Sequence, residues 1–505
     1  MTAFILLIPL LYTIPIACCW ELFRLAGKKP WLTLIPYYNI YVLADITNNK
    51  KWWWFLLIIF PYINTFMMMM LFIDLAKSHG RLGVADYLGA ALIPIIYFPL
   101  ISGISGKLHL EYKDPKTHPY PKKTIVRDWL DSILWAVMAA LIIRTFIFES
   151  FTIPSSSMEK SLRTGDFLVV SKIGYGPRFP NTLLSFPFVH HTLPWTESTR
   201  SYLKRPSVGY HRLPGFGAIH RNDPIVFNFP AGDTVSTKYQ SNYTYYQLIR
   251  QYGREKVINN KSAFGDIITR PVDKRENYVK RLIGMPGDTI QIKDGIVFVN
   301  GEQGFQPELM QHNYIIKTNG TALSHNLLKK YDISEIYSTG IPGTVVANIN
   351  RNTAEQLVKL PFITSVTRVI APKEEYSDEI FPNDTTHFKW NVDNFGPIVI
   401  PQEGVTVKLT KENIALYSRV ITAYEHHKLR IEGDKIFIDD KQCDTYTFAM
   451  DYFWMMGDNR HNSQDSRFWG YVPIDHIVGK PVFVWLSIDK TFGGIRFDKT
   501  FRVPK

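Results

Sequence analysis

The sequence predicts a multi-span α-helical membrane region followed by a mainly β domain with inserted β/α segments. Three observations predict it. Long apolar runs fill the first 150 residues, and short alternating runs separated by Gly, Pro, Asn and Asp begin at Ile153. Two later stretches, 231–276 and 304–428, lose that alternation and are rich in Asn, Tyr and Thr, so they read as insertions upon a β core. The near-zero mean hydropathy therefore averages two unlike parts.

The first apolar run, Phe4 to Trp20, has no charges, no basic start and no small-residue cleavage site, which predicts a retained helix. Trp53 to Ile73 and Leu88 to Ile104 are long enough to cross hydrocarbon about 30 Å thick. Leu130 to Phe148 is the last predicted span, with Arg144 near its end, where a long side chain can reach the interface. Trp31 to Leu43 is shorter and holds Pro36, Tyr37, Tyr38 and Asn39, which predicts a re-entrant or interfacial segment. Met67 to Met70 read as apolar filling rather than a metal path.

Orientation follows from the basic residues. Lys107, Lys113, Lys116, Lys122, Lys123 and Arg127 assign their loop to the cytoplasm. Arg24, Lys28, Lys29, Lys50 and Lys51, around the Trp31 segment, argue for the same side. Both hold if Trp31 to Leu43 does not cross, giving four spans with the large C-terminal part outside. Lys77 and Arg81 in an outer loop are a mild contradiction.

Composition narrows the chemistry. The net charge of +12, from 57 Lys+Arg against 45 Asp+Glu, is spread without a long basic stripe, so no nucleic-acid partner is expected. Cys18 and Cys19 lie in an apolar run and Cys443 stands alone, which excludes a disulfide framework or a cysteine metal site in the later part. His190-His191 and His426-His427 lack ligand neighbours at metal spacing, and no Gly-x-Ser-x-Gly or phosphate loop occurs. No metal or cofactor is expected.

In the β part, Phe167–Ser171, Ile225–Phe229 and Tyr278–Ile283 read as strands. Ile290–Val299 reads as a hairpin turning at Asp294-Gly295, and Leu429–Asp439 as another turning near Gly433-Asp434. A helix is predicted over Lys411–Tyr424, with Thr410 as N-cap and Ile414, Tyr417 and Ile421 on one face.

Three segments carry candidate chemistry. Phe151-Thr-Ile-Pro-Ser-Ser-Ser-Met158 follows the last apolar run, and Pro154 ends any helix and fixes an extended path past three serines. In Tyr278-Val-Lys-Arg-Leu-Ile-Gly-Met-Pro-Gly-Asp288, strand alternation puts Lys280 on a face with Tyr278 and Leu282, and Val279 on the other. Apolar surroundings disfavour a charged amine, so a neutral lysine base becomes available there. Met285-Pro-Gly-Asp288 suits a type II turn. Finally, Gly457-Asp-Asn-Arg-His-Asn-Ser463 and Asp465-Ser-Arg467-Phe-Trp-Gly470 are too polar for core and suit a loop of mutually bonded side chains supporting a site.

Together these segments resemble bacterial type I signal peptidases, the leader peptidase family with a Ser–Lys dyad. The likeness covers roughly 130–230, 277–303 and 429–490, with weaker matches at Gly165–Val170 and Arg221–Phe227. It implies an extracytoplasmic catalytic domain with Ser157 as nucleophile and Lys280 as general base. Ser155 would contribute its hydroxyl to an oxyanion hole with the Ser157 N–H. Ser463 would orient the lysine, and Asp465 and Arg467 would form a supporting ion pair. Phe151, Ile153, Leu162 and Val279 would line shallow pockets for small side chains, typically Ala.

The implied domain plan is a membrane region of unknown role over 1–125, an anchor over 126–150, and catalytic core over 151–303. The core carries an insertion near 231–276, and an accessory region over 304–428 precedes its second part, 429–505. The implied activity is removal of signal peptides from secretory preproteins at a bacterial inner membrane, with membrane lipid and the export machinery as further partners. His461 departs from the family's usual Asp and reads as a solvent-side substitution. The stretch between the serine and lysine segments, and the membrane region, are longer than usual. A self-cleaving Ser–Lys protease of the repressor type would be soluble with a DNA-binding helix pair, which the apolar runs oppose. A non-enzymatic membrane receptor or transporter subunit is the other alternative.

Overall fold

The computed structural model describes residues 12–49, 61–103, 110–118, 125–196 and 198–504. The chain divides into two units, Met1–Ile142 and Ile143–Lys505.

The first unit is helical. Helices Trp20–Leu25, Tyr38–Ile46, Pro61–Ser78, Val84–Leu92 and Pro94–Gly103 contribute to a core that includes Leu22, Phe23, Leu43, Leu71, Leu75 and Phe98. Met67 and Met68 are buried in it as apolar filling. The Trp31 segment forms a 3₁₀ turn, Pro30–Leu34, and a short helix, Tyr38–Ile46.

Two expected spans take other forms. Leu88–Ile104 is interrupted at Ile93, because Pro94 has no N–H and drives its predecessor out of the helical region (φ −133°, ψ 49°). Leu130–Phe148 is not one helix either. Helix Ile125–Ile142 contains Arg127, Asp128 and Asp131, passes into a π-turn over Ile143–Ile147, and gives way to a strand at Phe148. Arg144, in that π-turn, pairs with Glu149 at 2.9 Å. Among the described residues no helix is long and apolar enough to cross a membrane. Parts of the Phe4–Trp20 and Trp53–Ile73 runs, and Lys50, Lys51, Lys107, Lys122 and Lys123, lie outside the described residues.

The second unit is mainly β, as its alternating runs require. Seven strands form its large sheet: β1 (Phe148–Thr152), β2 (Asp166–Ser171), β3 (Pro224–Asn228), β4 (Asn277–Gly284), β5 (Tyr452–Met456), β6 (Val472–Pro473) and β7 (Ile477–Ser487). Their order is β1-β2-β7-β3-β4-β5-β6, with every neighbouring pair antiparallel. Alternation on β3 and β4 separates two cores. Ile225, Phe227 and Leu282 pack with Phe453, Met455 and Trp469, whereas Val226 and Val279 pack with Leu168, Val170 and Val484.

The predicted hairpins form at 289–299 and 429–438. The helix expected over Lys411–Tyr424 is shorter. Thr410 and Asn413 cap one another, the α-helix runs Ile414–Arg419, and its end widens into a π-turn, Val420–Tyr424. Ile414, Tyr417 and Ile421 are buried on it as expected.

The 231–276 stretch holds three short helices, Tyr245–Tyr252, Arg254–Asn259 and Lys261–Phe264, and the pair Thr234–Ser236 and Ile267–Thr269. Within 304–428 lies a four-stranded antiparallel sheet ordered Ile336–Ser338, Thr344–Asn350, Gln311–Thr318, Ile363–Arg368. It has its own core, including Tyr314, Ile316, Ala347, Ile349 and Leu357.

Candidate active site

Ser157 stands on the loop between β1 and β2, and local chemistry fixes that loop at both ends. The Ile153 N–H donates to the Asp166 carbonyl and the Gly165 N–H to the Ile153 carbonyl, both at 2.9 Å. Ile153, Met158 and Leu162 are buried together with Leu168, Val170 and Val226, and Phe151 and Val279 pack against them half-buried. Burial of each such apolar side chain stabilises by about 1.5–3 kcal/mol. The four residues expected to line a shallow apolar pocket thus share one cluster, beside the residue that follows Ser157.

Lys280 lies on β4 opposite Ile225 of β3, one residue beyond the last paired with β5. Its Nζ donates to Ser157 Oγ at 2.6 Å and to the Val279 carbonyl at 3.1 Å, and lies 5.5 Å from the centre of the Tyr278 ring. Burial lowers its pKa from 10.5 to about 8, against Asp465 and Asp458, whose charges pull it back up. A buried, partly neutral amine within hydrogen-bond reach of a hydroxyl can take that hydroxyl's proton. The type II turn after β4 forms with Gly287 at φ +83°, where an L side chain would be strained.

Beneath the pair, Asp465 and Arg467 make a buried two-point ion pair, with Nε to Oδ1 at 2.9 Å and Nη2 to Oδ2 at 2.8 Å. Asp465 also accepts the Gly457 N–H at 3.1 Å, and Arg467 donates to the Arg460 and Val392 carbonyls. Burial alone would raise the Asp465 pKa; Arg467 and the Gly457 N–H outweigh it and hold the carboxyl ionised. Gly457 is required by space, because a Cβ there would sit 2.2 Å from Ser463 Oγ and 2.5 Å from the Ser157 carbonyl oxygen.

Ser155 is exposed two residues before Ser157 in the same loop. Ser463 is buried next to Gly457, but among the described residues its hydroxyl has no hydrogen-bond partner, so it is not joined to Lys280. The solvent-side reading of His461 is incorrect. Its side chain is 7% exposed, Nε2 donates to Asp393 at 3.0 Å, and Nδ1 accepts the Asn313 N–H at 3.0 Å. Those partners come from residues 304–428, which cover the loop and remove this position from solvent.

Three further motif residues, to which the sequence assigns no role, support the site. Arg281, pointing opposite to Lys280, grips Asp458 at 2.8 and 2.6 Å, and Asp458 also accepts Ser161 Oγ at 2.6 Å. Asn459 is fully buried; its N–H donates to the Ser157 carbonyl at 3.1 Å and its side-chain amide to the Ser156 carbonyl at 3.2 Å. Both lie in the Gly457-Asp-Asn segment whose polarity marked it as supporting structure.

Residues 126–337 and 398–486, together more than half of the chain, match the signal peptidase, peptidase S26 family. Residues 31–107 match a family of unknown function (DUF5684). The chain is 23% identical over 410 residues to signal peptidase I of Haemophilus influenzae, covering 79% of this chain and 81% of that protein. Signal peptidase I of Buchnera aphidicola subsp. Baizongia pistaciae is 24% identical over 410 residues, covering 78% and 89%. That of Helicobacter pylori (strain ATCC 700392 / 26695) is 24% identical over 370 residues, covering 72% and 83%. With these matches spanning both the serine-bearing loop and the polar support beneath it, the chain belongs to the signal peptidase family of serine endopeptidases, peptidase S26.

Proposed function

We propose that this endopeptidase removes N-terminal signal peptides from exported preproteins, cleaving after small residues of Ala-x-Ala type through Ser157 and Lys280. The observation that carries the reading is the 2.6 Å contact between the buried Lys280 Nζ and the half-buried Ser157 Oγ. Neutral Lys280 takes the Ser157 proton as Oγ bonds to the scissile carbonyl carbon. The carbonyl oxygen becomes an oxyanion received by the Ser157 N–H and the Ser155 hydroxyl. The Lys280 ammonium then protonates the leaving amine as the C–N bond breaks, giving a Ser157 ester and the mature protein's new N-terminus. Lys280 next deprotonates water, which attacks the ester; as the C–O bond to Ser157 breaks, Lys280 returns that proton to Oγ and the signal peptide's carboxyl is freed.

Phe151, Ile153, Leu162 and Val279 make a shallow wall, and shallow apolar pockets select by excluding bulk. Asp465 and Arg467 hold the floor beneath Lys280, with Ser463 beside them. Attachment at a bacterial inner membrane, with the catalytic unit on the extracytoplasmic side, is supported by the apolar runs before residue 150. In this reading residues 1–125 form a multi-pass region and 126–150 an anchor, and lipid and the export machinery are neighbours of the substrate. Detergent-solubilised protein incubated with a secretory preprotein tests the function: a single cut after the Ala-x-Ala sequence is expected. An uncut preprotein, or cuts after bulky residues, would overturn it.

A further inference from the structure

The inserted sheet reaches the serine loop through side chains that neither the motifs nor the comparisons single out. Glu335, just before the edge strand Ile336–Ser338, accepts the Asn462 amide on both carboxylate oxygens at 2.8 Å and the Asn459 amide at 3.4 Å. The same Asn462 amide donates to Ser156 Oγ at 3.1 Å, and the Asn459 amide to the Ser156 carbonyl at 3.2 Å. Three residues earlier, Asp332 pairs with Lys160 at 2.8 Å and with Arg163 at 3.2 Å, on the same loop. Strand Gln311–Thr318, next but one in the same sheet, is tied to the Gly457 loop by Gln311 N–H to the Asp458 carbonyl and Arg460 N–H to the Gln311 carbonyl, both at 2.9 Å.

One of these contacts, Asn459 Nδ2 to the Ser156 carbonyl, falls on the Ser156–Ser157 peptide itself, and Asn462 holds the Ser156 side chain beside it. The Ser156–Ser157 peptide is trans, so its C=O and N–H point in opposite directions. Holding the Ser156 carbonyl toward Asn459 therefore aims the Ser157 N–H away from it. A carboxylate accepting from both amides holds their side chains in place, and with them the N–H groups they turn to Ser156.

We infer that Glu335 of the inserted sheet is a positioning residue for the oxyanion site: through Asn459 and Asn462 it sets the Ser156–Ser157 peptide that aims the Ser157 N–H. The inserted region is thus part of the catalytic apparatus. This rests on Ser157 being the nucleophile.

The test uses full-length, detergent-solubilised protein as wild type, Glu335→Ala, Glu335→Gln and Ser157→Ala. It reads kcat and KM on a preprotein, and inhibition by a substrate-like peptide aldehyde. The aldehyde carbon bonds to a serine hydroxyl, leaving its oxygen where the oxyanion forms. Losing an oxyanion donor outright lowers kcat about 10²–10³-fold, so misaiming one in Glu335→Ala lowers kcat about 10- to 100-fold. Aldehyde affinity falls by a similar factor while KM stays within about twofold. Glu335→Gln, which keeps an oxygen acceptor for Asn462, recovers kcat to within about fivefold of wild type.

An unchanged kcat in Glu335→Ala would overturn the inference. So would a loss carried by KM with aldehyde affinity intact, or equal losses in the Ala and Gln variants. If Glu335→Ala does not fold, Glu335→Asp, with its carboxylate withdrawn by one methylene, carries the same kcat and aldehyde expectations. Cleavage by Ser157→Ala would instead remove the nucleophile assignment, whereas an inactive Ser157→Ala beside an unaffected Glu335→Ala removes the Glu335 inference alone.

Discussion

Lys280 should leave a measurable signature in stability as well as in catalysis. Its pKa falls from 10.5 to about 8 on folding, chiefly because burial disfavours the ammonium. The sign follows from proton counting. Between those two values the unfolded chain binds the proton and the folded protein does not, so stability rises with pH across that window. Below about pH 8 both states are protonated, and the full cost of the buried charge, about 3 kcal/mol, weighs against folding. Lys280→Met replaces the amine with an apolar chain of similar length and removes this term. Tyrosines and other groups titrating in the same range are common to both proteins and cancel in the difference. Denaturant unfolding of the two proteins from pH 7 to 10.5 is the assay. The stability of wild type relative to Lys280→Met should improve by about 3 kcal/mol across that range. Parallel curves would refute the claim that burial holds the amine's proton affinity down.

The same pKa sets the rate profile. The neutral fraction of an amine with a pKa of about 8 rises from about one-eleventh at pH 7 to about ten-elevenths at pH 9, so kcat/KM should climb roughly tenfold between them. A flat profile would argue against a lysine base. Beneath the site, Arg467→Met strands Asp465 as an unpaired buried carboxylate and should cost about 3–5 kcal/mol, read by thermal or denaturant melting. An unchanged melting midpoint would mean that the pair carries no structural weight.

Much of the catalytic unit was legible because its signals are local. Asp294-Gly295 dictates a hairpin turn, Pro154 an extended path, and alternation on Tyr278–Leu282 separates Lys280 from Val279. The serine, the lysine and the Asp465–Arg467 pair were marked by segments with recognisable residue order. What escaped was tertiary. His461 reads as exposed until Asp393 and Asn313, 68 and 148 positions away, fold against it. Glu335 carries no local signal at all, since its partners lie 124 and 127 residues later. Ser463 was assigned to the lysine by resemblance, whereas its buried hydroxyl has no partner among the described residues. In the helical unit, apolar length overrode the stop at Pro94 and the charge at Asp131, which the sequence displayed plainly.

The central claim is that Ser157 and Lys280 act as one unit. Its most direct test is preprotein cleavage by Ser157→Ala and Lys280→Ala, each first shown to be folded by circular dichroism and thermal melting. Both should be inactive over the time in which wild type cuts completely, because a hydroxyl without its base and a base without its hydroxyl leave the same step undone. Undiminished cleavage by either folded variant would contradict the dyad.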